Sequence, residues 1–172
     1  NRTYLTIEEL NKLANTECKN DLLKRASIFS ALTGLRFSDV KNLSWRNVYK
    51  TNDEYYINFI QKKTEGVEYS PISEQAFTLL GERQNDSEKV FNGLKYSAYL
   101  NKQLTDWLKD AEITKDITFH SFRHTYATLQ LANGTDIVTI SGMLGHKNLK
   151  TTQIYAKIVS ESKKQTTNKI IL

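Results

Sequence analysis

The sequence predicts an α+β fold, mainly α-helical, in which a small three-stranded antiparallel sheet packs beside a helical domain. Three observations lead there. Apolar residues recur at helical spacing over most of the chain, whereas β-branched and aromatic residues dominate only between Asn47 and Ile72. A length of 172 residues with 39% hydrophobic content allows one sizeable core and is short for two. No repeat, low-complexity tract or linker divides the chain, whose one proline is Pro71.

In chain order, TIEEL reads as a capping box, Thr6 with Glu9 three residues on, opening a short helix. A second helix is expected from about Lys19 to Thr33, with Leu22, Leu23, Ala26, Phe29 and Ser30 at helical spacing and Gly34 as its stop. Arg36 therefore follows directly on a helix end. Ser38 is placed to cap a short third helix that carries Val40 and Leu43 inward. Strands are expected at Val48-Tyr49, Tyr55 to Ile60 and Val67 to Ile72. Turns at Asn52-Asp53 and Glu65-Gly66 set Lys63 at or beside a hairpin tip. Beyond Pro71, helices are expected over Ser73 to Gly81, Tyr96 to Ala111, His120 to Ala132, Asp136 to Leu144 and Leu149 to Val159. Asn133-Gly134 and Gly145 separate the last three. Ser160 to Leu172 reads as a polar tail with an apolar end, Ile170-Ile171-Leu172, suited to packing on its own domain or on a neighbour.

Lys and Arg outnumber Asp and Glu by 24 to 19, a formal charge of +5 with a pI near 9.2, which favours polyanionic partners. A single cysteine, Cys18, excludes an internal disulfide, fits a reducing cytoplasm and suits a packing role. No stretch approaches the ~20 apolar residues of a membrane span, and no signal segment opens the chain. The chain begins at Asn1 without a methionine, as a piece of something longer would.

His120 and Arg123 stand three apart on an expected helix, so both leave one face and can meet a single oxyanion. His120 also forms a His-x3-His pair with His124. The intervening Ser-Phe-Arg lacks the Glu of a zinc hydrolase and no cysteine pair exists, which argues against a metal site. Arginine's planar fork suits the nonbridging oxygens of a phosphodiester, and two such forks cancel charge growing in a pentavalent transition state. Arg36 and Arg123 are the candidates, although a surface salt bridge between Arg36 and Asp39 would serve as well for Arg36 alone. Tyr155 lies nine positions after His146 and, as one of nine tyrosines, equally fits a core position. A phenol of pKa about 10 needs a base and a cationic surround to attack at neutral pH, which Arg36, Arg123, Lys63, His120 and His146 would provide. Its phosphotyrosyl ester keeps the bond energy of the phosphodiester it replaces, so no ATP and no other cofactor is expected.

Here the residues meet a family. TGLRFSD, QKKTEGVEYSPI, HSFRHTYATL and LGHKNLKTTQIYAKI resemble, in order and spacing, the catalytic domain of the tyrosine recombinase (phage integrase) family, from about Thr6 to Val159. The resemblance implies a helical catalytic domain of that type over residues 1–172. It implies that Tyr155 attacks the scissile phosphate to form a 3′-phosphotyrosyl link while Arg36 and Arg123 clamp the nonbridging oxygens. Lys63 matches the general acid for the leaving 5′ oxygen, His120 the position that manages the tyrosine's proton, and His146 a hydrogen-bond donor to the phosphate. Lys62 adjoins Lys63 and competes for its role, and Glu65 and Glu68 put negative charge in a hairpin that faces DNA in relatives. Ser121, Thr125, Lys147 and Lys150 are candidate phosphate contacts near the site.

The same resemblance implies double-stranded DNA as partner, strand exchange through a four-way junction by a homotetramer on two sites, and accessory DNA-bending proteins. It implies action in a bacterial cytoplasm, in integration or excision of a mobile element. The family's N-terminal DNA-binding domain is not in this sequence, and residues 160–172 correspond to a segment that relatives dock on a neighbouring protomer. Chromosome-dimer resolution uses the same chemistry. A type IB topoisomerase, a noncatalytic DNA-binding module and, last, a metal nuclease are the other readings.

Overall fold

The computed structural model describes residues 2–60, 67–146 and 148–172. Its helices are α1 (Ile7–Ala14), α2 (Asp21–Thr33), α3 (Phe37–Asn42), α4 (Glu74–Thr78), α5 (Ala98–Asp110), α6 (His120–Ala132), α7 (Ile137–Leu144) and α8 (Leu149–Thr167). Strands β1 (Val48–Thr51), β2 (Glu54–Ile60) and β3 (Val67–Ile72) form one antiparallel sheet in the order β1-β2-β3. The register pairs Val48 with Ile57 and Tyr55 with Ile72. Val48 and Ile57 thereby point into the core, while Tyr49 stacks on Tyr56 on the opposite, open face. The turn expected at Glu65-Gly66, with Lys62 and Lys63, lies outside the described residues.

Local chemistry accounts for the boundaries. The Thr6 hydroxyl accepts from the Glu9 N–H at 3.1 Å and the Glu9 carboxylate accepts from the Thr6 N–H at 2.9 Å, a reciprocal capping box. The Asn20 side chain caps α2, and Gly34, at φ +78°, ends it in the left-handed region. Two boundaries differ from expectation. Arg36, not Ser38, occupies the cap position of α3, because the Asp39 carboxylate accepts from the Arg36 backbone N–H at 3.3 Å. The last helix runs past Val159 to Thr167, since Glu161, Lys163, Lys164 and Gln165 are ready helix formers and nothing in that stretch breaks the ladder. Ile170, Ile171 and Leu172 beyond it are exposed and do not pack on their own domain.

The centre of the molecule is α6, against which α2, α7 and α8 pack. From Ser121 to Thr128 it is buried at every position. Its polar members go inside because their hydroxyls return bonds to the helix backbone: Thr125 Oγ1 donates to the Ser121 carbonyl at 2.8 Å and Thr128 Oγ1 to that of His124 at 2.7 Å. A large core around Phe29, Trp107 and Phe122 fills one side of α6, and a smaller cluster of Tyr126, Ala127, Ile140, Leu144 and Tyr155 fills the other. Among the described residues no helix is long and apolar enough to cross a membrane.

Candidate active site

Where the smaller core cluster meets the surface, the turn after α2, the start of α6, the α7–α8 turn and the body of α8 enclose a cavity of about 310 Å³. Arg2, Arg36, Arg123 and all three histidines of the chain line it, together with Gly145, Asn148, Thr151 and Tyr155. Among its described lining residues there is no carboxylate. Three guanidinium groups facing one space without an acid is an arrangement for binding an anion.

Arg123 is 5% exposed and pinned from both sides. Its Nη1 donates to the Gly34 carbonyl at 2.7 Å and its Nη2 to the Leu144 carbonyl at 2.6 Å. Those bonds occupy two of the five N–H donors and leave the rest of the fork for the cavity. Burial, with Arg36 nearby, lowers the Arg123 guanidinium to about 10, so it stays charged at neutral pH. Arg36 follows Gly34 closely and is half-buried. Among the described residues no carboxylate forms an ion pair with its guanidinium, and Asp39 bonds its backbone instead.

Tyr155 is 3% exposed, yet it lines the cavity. The hydroxyl is 2.5 Å from His124 Nδ1. Burial raises the phenol above its ordinary value near 10, against the pull of Arg2 and Arg123. The Arg2 guanidinium lies over the Tyr155 ring, 5.9 Å from its centroid. His120 is exposed on the cavity wall and meets the His124 ring edge-on, with centroids 4.6 Å apart. Burial and then Arg123, Arg36 and Arg2 lower the His120 imidazole, while burial and then His120, Arg2 and Arg123 lower that of His124 to about 4. Across the cavity, His146 Nδ1 is 2.6 Å from the hydroxyl of Thr152, a fully buried residue of α8. Gly145, at φ +71°, caps α7 and turns the chain so that His146 faces back into the site.

The structure therefore brings together Arg36, His120, Arg123, His146 and Tyr155. Lys63, with its competitor Lys62, and Lys147 lie outside the described residues. Lys150 is exposed on the first turn of α8. Ser121 and Thr125 require correction as phosphate contacts. Ser121 is buried and its hydroxyl accepts from the Thr118 N–H at 3.0 Å, while Thr125 is fully buried and accepts from the Leu5 N–H at 2.9 Å. Both hydroxyls hold the fold. Sequence reasoning treated His124 only as a zinc partner for His120 and did not single out Arg2, Asn148, Thr151 or Thr152. The signal for His124 was present, since a residue four beyond His120 shares its helix face. Among the described residues no group of three His, Cys, Asp or Glu side chains converges as a metal site would.

Residues 3–161 match the profile of the Phage integrase family. The chain is 32% identical over 170 residues to Tyrosine recombinase XerD of Halalkalibacterium halodurans, covering 90% of this chain and 56% of that protein. Among solved structures it is similar to the XerH site-specific recombinase bound to palindromic difH substrate in a post-cleavage complex, with a TM-score of 0.75 at 21% identity over 96% of this chain and 52% of that one. It is also similar to the catalytic domain of bacteriophage HP1 integrase, with a TM-score of 0.67 at 24% identity over 91% of this chain and 88% of that one. The chain thus spans little more than half the length of the XerD relative and nearly all of the integrase catalytic domain.

Proposed function

The chain belongs to the phage integrase family, and on that premise we propose that it is the catalytic domain of a tyrosine-type, site-specific DNA recombinase. Its substrate is double-stranded DNA, a reading supported by the similarly folded Tn1549 transposon integrase, whose structure is in complex with circular intermediate DNA. Tyr155 attacks a scissile phosphodiester, forming a 3′-phosphotyrosyl bond and releasing a 5′ hydroxyl. Arg36 and Arg123 hold the nonbridging oxygens and oppose the charge of the pentavalent transition state. His146 donates to the same phosphate, His120 belongs to the proton path of the phenol, and Lys63 protonates the departing 5′ oxygen. The ester conserves the energy of the broken bond, so the 5′ end of a partner strand reseals it without ATP or metal.

One observation carries this reading: Tyr155, its hydroxyl 2.5 Å from His124 Nδ1, lines the cavity where Arg36 and Arg123 converge with no opposing carboxylate among the described lining residues. A structural tyrosine requires no such surround. In the whole protein we place a DNA-binding domain before this one, a tetramer on two sites, and the exposed end Ile170-Ile171-Leu172 docked on a neighbouring protomer. Integration, excision and chromosome-dimer resolution share this chemistry and differ in the site that is cut.

A trap on nicked DNA tests the reading. End-labelled substrate whose 5′ fragment diffuses away after cleavage, incubated in chelator, is expected to yield a protein–DNA adduct on a denaturing gel. The adduct should vanish in Tyr155→Phe. An adduct that persists in that variant sinks the assignment of the nucleophile, and relaxation of a plasmid lacking any recombination site would favour topoisomerase action.

A further inference from the structure

The geometry points to His124 as the residue that takes the Tyr155 proton during strand cleavage, one position beyond the HSFR segment from which the family's proton-managing histidine, His120, was assigned. The inference rests on the strand-cleavage reading above and deepens it at one atom.

Distances decide between the two histidines. Among the described residues, the Tyr155 hydroxyl hydrogen-bonds His124 Nδ1, at 2.5 Å. His120 stands behind His124, its ring perpendicular at 4.6 Å between centroids, and shares no hydrogen bond with the phenol. Both rings leave α6 on one side because they are four residues apart. His124 is also held in place: it is 8% exposed and its ring packs at 40° to that of Tyr155. A general base must lie within hydrogen-bond reach of the atom it deprotonates, no farther than about 3.2 Å, a test of geometry that precedes any question of basicity. His124 meets it before DNA arrives.

Protonation states agree. A buried phenol keeps its proton and an imidazole lowered to about 4 is neutral at pH 7, so with His124 in its Nε2–H tautomer the pair holds one O–H donor facing one nitrogen acceptor. In the step, the Oη–H bond breaks as the Oη–P bond forms. The proton goes to Nδ1, the P–O5′ bond breaks, and the 5′ oxygen takes a proton from a separate acid. Before DNA binds, positive charge on His124 would face His120, Arg123 and Arg2, and the transfer is suppressed. Once a phosphodiester lies between Arg36 and Arg123, the extra negative charge of the pentavalent state stabilises the imidazolium beside it. The nucleophile is thereby activated only where a phosphate is present.

Single-turnover cleavage of nicked DNA tests this with wild type, Tyr155→Phe, His124→Ala and His124→Gln, alongside melting temperature and noncovalent DNA affinity. Gln accepts the phenol's hydrogen bond but takes no proton. Both His124 variants are expected to bind DNA as wild type does and to cleave about 100- to 10,000-fold more slowly, the usual contribution of a positioned base. Added imidazole should restore part of the His124→Ala rate, more so for substituted imidazoles of higher basicity, an effect that a packing role would not produce. Folded His124→Gln cleaving within about threefold of wild type overturns the proposal, as does a slowed His124→Ala indifferent to every imidazole. Absence of an adduct from wild type overturns the strand-cleavage reading itself, and the proposal with it.

Discussion

The guanidinium of Arg123 on α6 donates to the backbone carbonyl of Gly34, at the end of α2, over 2.7 Å. Through this bond the turn that carries Arg36 and the helix that carries Arg123 are held in register, so the two arginines reach the cavity as one unit. Gly34 makes the approach feasible. A Cβ there would come within 2.6 Å of the Tyr126 ring and 2.9 Å of a Leu144 methyl, and its φ of +78° is costly for any side chain.

Gly34→Ala is therefore expected to lose stability by about 1–3 kcal/mol from overpacking alone, with left-handed strain in addition. A shift of Tyr126 would also move the Arg123 anchor. Thermal melting together with adduct formation checks this, the expected outcome being a lowered melting temperature and slowed cleavage in the molecules still folded.

Arg123→Lys keeps the charge and loses the fork. A single ammonium cannot satisfy the Gly34 and Leu144 carbonyls and also hold two phosphate oxygens. Each buried carbonyl left unpaired costs about 1–3 kcal/mol, so the variant should be less stable than wild type and cleave at least about 100-fold more slowly. Recovery of wild-type cleavage with lysine would show that charge alone suffices.

Stability should fall as the solution is acidified through the range from about 6.5 to about 4. Burial and then His120, Arg2 and Arg123 depress the His124 imidazole from 6.5 to about 4, so over that interval the unfolded chain binds a proton that the folded chain refuses. The contribution is fully present above the unfolded value and is gone once pH passes below the folded one. His120, also lowered, adds in the same direction. Melting temperature against pH for wild type and His124→Gln measures the effect, and the variant should show the flatter curve.

These residues also show how far a sequence carries. Helical spacing located α6 and placed His120 and Arg123 on one face, because side-chain direction follows from backbone geometry. Burial of the neighbouring Ser121 and Thr125 was not legible, since small hydroxyls turn inward when a backbone group satisfies them, and the Leu5 N–H that Thr125 accepts lies 120 residues away. Contacts between distant segments left no local trace either. Arg2 reaches Tyr155 only because the irregular segment before α1 returns to α6, where the Leu5 N–H meets Thr125, and the Arg36 cap depended on Asp39 bonding the backbone, not the guanidinium. His124 was visible as a residue, but its bond to Tyr155 required knowing how α8 lies on α6.

Thr152 offers the last test, because its hydroxyl lies 2.6 Å from His146 Nδ1 and the residue is fully buried. That bond fixes the orientation of the ring and hence which nitrogen faces the cavity. Thr152→Val preserves shape and removes the hydroxyl, at about 1 kcal/mol of stability for the lost hydrogen bond. Cleavage is expected to slow about tenfold while noncovalent DNA binding holds, since a misplaced donor affects the transition state more than the ground state. Thr152→Ser, which restores the hydroxyl, should recover most of the rate. Equal rates for the valine and serine variants would mean that packing around residue 152 orients His146 and that the hydroxyl does not.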